Sequence, residues 1–97
     1  MAKMLLSPIQ CVHTTKYIQF NLDHQTEKTH HWSVLSIKHN TLLGIIKWYG
    51  AWRQYAFFPE PNTVFNVECL GDIESFIEQE MERRRIRLKK QVIEVNL

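Results

Sequence analysis

The apolar residues of this chain change their spacing once, and that change fixes most of what it can fold into. Up to Phe58 they fall in short runs, alternating with polar residues or rich in β-branched and aromatic types; from Leu70 onward they recur every third or fourth position. The first pattern belongs to strands with one buried face, the second to one stripe of a helix. In 16–23, KYIQFNLD, Ile18, Phe20 and Leu22 point one way and Tyr17, Gln19, Asn21 and Asp23 the other. A polar loop, 24–30, leads to a second strand over 31–39. Asn40 and Thr41 suit a tight turn before a third strand over 42–49. Gly50 and Ala51 suit a two-residue turn before a fourth over 52–58, since glycine accepts the positive φ of hairpin turns. Pro59 and Pro61 stop the series, because proline has no N–H to donate to a ladder.

Beyond 59–66 the helical period takes over. Leu70, Ile73, Ile77 and Met81, with Phe76 beside them, form one apolar stripe, predicting a helix over about 67–89. Asn66 is placed to cap it, and Glu68 and Asp72 lie near its positive end. Glu80 and Arg84 are spaced for an i,i+4 pair. The tail 91–97, QVIEVNL, alternates again and is expected to be an edge strand or a partner-facing extension. Together these elements predict one domain over 1–97 of the α+β class: an antiparallel meander of three to four strands with one long C-terminal helix packed on one face.

Ninety-seven residues can bury one core but leave little room for a deep catalytic cleft. A hydrophobic content of 44% argues against a disordered chain, and a net charge of +2 against a uniformly basic nucleic-acid binder. Cys11 and Cys69 are expected to be free thiols in a reducing compartment. The apolar run in MAKMLLSPIQ is too short for a signal peptide or a membrane span, so the expectation is a cytoplasmic protein with no membrane partner.

Chemistry concentrates in 47–59, KWYGAWRQYAFFP, where six of thirteen residues are aromatic and two are basic. A turn at Gly50–Ala51 would pair Tyr49 with Trp52, Trp48 with Arg53 and Ile46 with Tyr55. One face would carry Lys47, Tyr49, Trp52, Gln54 and Phe58, the other Trp48, Arg53, Tyr55 and Phe57. One helix covers one face only, so some of these rings must be exposed or covered by a partner. Three uses fit the pattern. Trp48, Tyr55 and Phe57 can be core, with Arg53 lying over Trp48 as a cation–π pair. Lys47, Trp48, Tyr49, Trp52, Arg53 and Tyr55 can form a platform that stacks bases and neutralises phosphate. The same residue types also make protein-binding hot spots.

A second basic feature is 83–90, RRRIRLKK. Its cations complement the negative end of the helix; read functionally, Arg83, Arg84, Arg87 and Lys90 would touch an anion or an acidic partner surface. Six acids upstream on the helix oppose a phosphate backbone along its length. His13, His24, His30, His31 and His39 match no zinc spacing, and they are expected as exposed loop histidines. No metal or other cofactor is expected. Neither GxSxG, a P-loop nor HExxH occurs, and Cys69 near the helix start reads more simply as a small buried residue than as a nucleophile, so no enzyme is expected.

Two motifs carry a resemblance. G-x-I-x-W-Y-x-x-W-R-x-Y-x-F-x-P falls on Gly44, Ile46, Trp48, Tyr49, Trp52, Arg53, Tyr55, Phe57 and Pro59, and V-F-x-x-x-C-L-x-x-I-x-x-F-I on Val64, Phe65, Cys69, Leu70, Ile73, Phe76 and Ile77. This stretch resembles small uncharacterised proteins of phages and prophages. The resemblance implies a viral or prophage origin, hence a host-cell cytoplasm, and no catalytic residue. By analogy with such proteins it implies action by binding to nucleic acid, a nucleotide-like ligand, or a host or defence protein. The leading expectation is a non-enzymatic protein that binds nucleic acid or a nucleotide-like ligand through the hairpin. The alternative is a protein-interaction module or homodimer.

Overall fold

The structure, a computed structural model, describes the backbone of residues 10–95 and the side chains of 11–90. Five strands follow in chain order: β1 (Gln10–Thr14), β2 (Ile18–Gln25), β3 (His30–Ser36), β4 (Leu42–Tyr49) and β5 (Gln54–Pro59). Each pairs antiparallel with the next, so spatial order equals chain order. The helix α1 (Val67–Val95) follows. The α+β class and the meander hold, but the strand count among the described residues is five, not three to four. The added strand is β1. Its sequence QCVHT has no apolar alternation, and a bulge between Cys11 and His13 breaks its register.

Period two sorts the side chains as the sequence demands. Leu22, Trp32, Ile46 and Phe57 form one cross-sheet row, and Phe20, Val34, Gly44 and Pro59 the next. These rows face α1, which adds Ile73 and Phe76 to a core of Ile18, Phe20, Trp32, Val34, Ile46 and Tyr55. Phe76 lies flat on Phe20 with centroids 4.1 Å apart, and Trp32 meets Phe76 edge-on at 5.2 Å and Tyr55 at 5.0 Å. Each such aromatic contact adds about 0.5–1.5 kcal/mol beyond the area it buries. Buried Tyr55 also uses its hydroxyl, which accepts the His30 N–H at 3.1 Å. Tyr55 N–H in turn contacts the Met81 sulfur of α1 at 3.4 Å, so the helix closes part of the exposed edge of β5.

The helix begins as expected. Asn66 Oδ1 accepts the Cys69 N–H at 2.7 Å, an N-cap. Its far end differs: 91–95 continue the helix rather than forming an edge strand or an extension, while 96–97 lie outside the described residues. Neither glycine nor proline stands between Met81 and Val95 to stop it, and propagation is favourable once a helix is nucleated. Its stripe is also rotated. Leu70 is half exposed, and Glu80 is buried among the apolar positions, its carboxylate held by Arg83 at 2.7 Å. The expected Glu80–Arg84 pair is thus an i,i+3 pair with Arg83, because Arg84 turns towards the sheet.

Of the histidines, His39 is an exposed loop residue as expected, and His13 and His24 are exposed but on strands. His13 lies on β1 and packs near Phe20 and Phe76; His30 and His31 lie on β3, half-buried, with His30 edge-on to Trp32. Strand pairing holds them on the sheet: His13 lies opposite Phe20, His31 opposite His24 and His30 opposite Gln25. Both Cys11 and Cys69 are free thiols. No helix among the described residues is long and apolar enough to cross a membrane.

Candidate nucleic-acid interface

The β4–β5 hairpin pairs Tyr49 with Gln54, Trp48 with Tyr55, Lys47 with Ala56, Ile46 with Phe57 and Ile45 with Phe58. The expected two-residue turn at Gly50–Ala51 is replaced by a four-residue loop, 50–53, and the fourth strand starts at Gln54 instead of Trp52. A two-residue turn would use the positive φ that glycine permits, but Gly50 does not adopt one. Instead Trp52 N–H donates to Tyr49 O at 3.1 Å and Arg53 N–H to Gly50 O at 3.2 Å, and Arg53 closes the loop at φ 53°. The register shift is two residues, an even number, so every strand residue keeps its expected face. Only Trp52 and Arg53 change place, leaving the strand for the loop tip.

The six hairpin residues therefore divide into three groups. Tyr55 is core, 2% exposed, and Trp48 is half-buried on the same, helix-covered face. Lys47 and Tyr49 stand on the opposite face, which α1 leaves open. Trp52, 65% exposed, and Arg53 project from the tip. The cation over Trp48 is not Arg53 but Arg84, whose guanidinium lies 3.9 Å from the ring centroid. Arg84 Nε also donates to Lys28 O at 2.9 Å, fastening the helix to the β2–β3 loop.

On the open face the groups make one continuous surface. Lys47 Nζ sits 4.8 Å from the Phe58 ring, Tyr49 meets Phe58 edge-on at 6.0 Å, and Trp52 meets Tyr49 edge-on at 4.8 Å. Phe58 joins this candidate surface although it is not among the six residues expected to form it. Its signal was its position diagonal to Lys47 across the ladder. Further along this face Ser33 and Gln19 are partly exposed polar groups, Gln19 donating to the buried Asn21 at 2.8 Å and Ser33 to Asp23. The surface offers stacking rings, a cation beside them and polar groups at its edge.

The basic helix end lies on the other side of the sheet. Arg83 is taken up by Glu80, Arg85 by Glu82 at 2.5 Å, and Lys90 is exposed. Arg87 is half-buried, its Nε and Nη2 without a hydrogen-bond partner among the described residues. Burial, and then the charge of Arg87, lower the pKa of His30 and favour its neutral form. Between tip and helix opens a cleft of about 510 Å³, lined by Trp48, Arg53, Met81 and Arg84 but also by Glu78 and Glu82. Those acids make it a poor seat for phosphate. Arg83, Arg84 and Arg87 are thus not brought together with the open aromatic surface.

The chain is 39% identical over 75 residues to an uncharacterized 9.3 kDa protein of Acholeplasma phage L2, covering 76% of this chain and 96% of that protein. It belongs to the family of that phage protein. This agrees with the phage resemblance of the hairpin and helix motifs at the level of the family. No family model matches the chain, and no solved structure matches it.

Proposed function

We propose that this member of the phage family acts by binding, without catalysis, and that the open sheet face and hairpin tip hold single-stranded nucleic acid. One observation carries the reading: Tyr49, Trp52 and Phe58 offer ring surface beside Lys47 on a face that α1 does not cover, and the exposed Arg53 follows Trp52 in the hairpin loop, between that surface and the cleft on the helix side. Stacking on such rings contributes about 1–3 kcal/mol per base and tolerates any base. Lys47 and Arg53 supply the phosphate contacts. The near-neutral net charge suits a short contact rather than a long electrostatic track. Kinship with a phage protein supports a role in the cytoplasm of an infected cell, on nucleic acid or on a host or defence process that uses it.

The test is an anisotropy titration of fluorescein-labelled oligothymidine. Trp52→Ala and Tyr49→Ala should each weaken binding by about 5- to 100-fold with circular dichroism unchanged, in line with loss of one stacked base. No binding by the wild type, or equal binding by Trp52→Ala, would overturn the reading. The exposure of Trp52 also suits contact with protein. A dimer in sedimentation that Trp52→Ala converts to monomer would assign the face to a second copy of the chain.

A further inference from the structure

A second surface lies at the other end of the molecule, where the β1–β2 turn, the β3–β4 loop and the start of α1 meet. They enclose a groove of about 630 Å³. Its apolar wall includes Ile18, Ile37, Leu43, Val64 and Phe65. Two features set it apart from an ordinary surface dip. Val64 is 91% exposed and Ile37 45%, so large aliphatic groups stand in water with nothing of the described chain over them. The charged groups in its lining, Lys16, Lys38 and the titratable His39, include no acid. Glu68, in the first turn of α1, acts on Lys16 across the rim but does not line the groove.

We propose that this groove docks an acidic amphipathic segment of a partner protein, its apolar side chains against Ile37, Val64 and Leu43 and its carboxylates at Lys16 and Lys38. Charge complementarity selects the occupant: a lining whose charged groups are all basic favours acidic segments and repels basic ones. The chemistry also differs from that of the hairpin. Here the most exposed apolar groups are the aliphatic Val64 and Ile37; the rings in the lining are Tyr17, which Lys16 overlies at 5.2 Å, His39 and the half-buried Phe65, in place of the three adjoining rings of the hairpin. The loops are tied together, Ile37 N–H donating to Tyr17 O at 3.0 Å and Ser36 N–H to Thr41 O at 2.9 Å, so the groove is formed before a partner arrives.

The test uses three fluorescein-labelled probes on the full chain: an amphipathic peptide of leucine and aspartate, its counterpart with lysine for aspartate, and oligothymidine. The wild type should bind the aspartate peptide and discriminate against the lysine peptide. Val64→Ser, at a position too exposed to hold the fold, should weaken the aspartate peptide by about tenfold. The double variant Lys16→Glu/Lys38→Glu should reverse the preference, and Trp52→Ala should leave it intact, which separates this surface from the hairpin. Binding of neither peptide, equal binding of both, or indifference to the groove variants would overturn the proposal. Loss of oligothymidine binding in Lys16→Glu/Lys38→Glu would also overturn it, by assigning the groove to nucleic acid.

Discussion

Two residues show how tightly single positions are constrained. Gly44 sits in the inner row of β4, where an added Cβ would stand 2.5 Å from the Phe57 ring and 2.6 Å from the Phe58 carbonyl oxygen. The backbone of β5 cannot give way without breaking its ladder. Gly44→Ala should therefore cost about 1–3 kcal/mol, read as a lower urea midpoint, despite the smaller entropy gain of replacing glycine. His30 makes a different prediction. Its folded pKa lies below the ordinary histidine value, through burial first and the charge of Arg87 second. On acidification the unfolded chain takes up this proton before the folded one does. The share of stability due to His30 is thus full above about pH 6.5 and falls as pH drops below it. A series of urea melts should show a smaller acid loss in His30→Gln than in the wild type. Neither constraint was visible in the sequence: Gly44 reads as one more strand glycine, and Arg87 lies fifty-seven positions away from His30.

At the scale of the element, the sequence was most legible where a period or a cap repeats a local rule. The β4 range 42–49, the faces of the paired residues 45–49 and 54–58 and the Asn66 cap follow from alternation and capping chemistry. Asn66→Ala should remove the acceptor for Cys69 N–H and cost about 1 kcal/mol, measured by thermal melting with the helical circular dichroism signal. Legibility failed where two local rules compete. Gly50–Ala51 looks like a tight turn, but Gly50 keeps a negative φ and the positive φ falls on Arg53 at the end of a four-residue loop. It failed too where tertiary contact decides. β1 is held by pairing with β2 despite a polar sequence, and the alternation in 91–95 is overridden by continuation of the helix.

At the scale of the molecule, the helix covers one face of the five-stranded sheet, and the surface proposed for binding lies on the other. The aromatic hairpin supplies rings to both faces: Trp48 and Tyr55 to the core, Tyr49 and Phe58 to the open side. That both faces would be aromatic was readable from alternation. That Arg84 rather than Arg53 would cover Trp48 was not, because it depends on how the helix crosses the sheet. The consequence for binding is specific. Lys47→Ala and Arg53→Ala should each lower the salt dependence of oligothymidine binding by about 0.7 in the log–log slope, while Arg83→Ala, on the far side and held by Glu80, should leave it unchanged. Binding titrations at stepped salt concentrations would read both.

The most direct test of the open-face account is a map of backbone amide shifts as oligothymidine is added to the labelled protein. The account predicts perturbations concentrated at Lys47, Tyr49, Trp52, Arg53 and Phe58, with Lys38, Val64 and the core-facing helix positions Ile73 and Phe76 unmoved. Perturbations centred on Arg83 to Lys90 or on the Lys38–Val64 groove, with the hairpin silent, would contradict it.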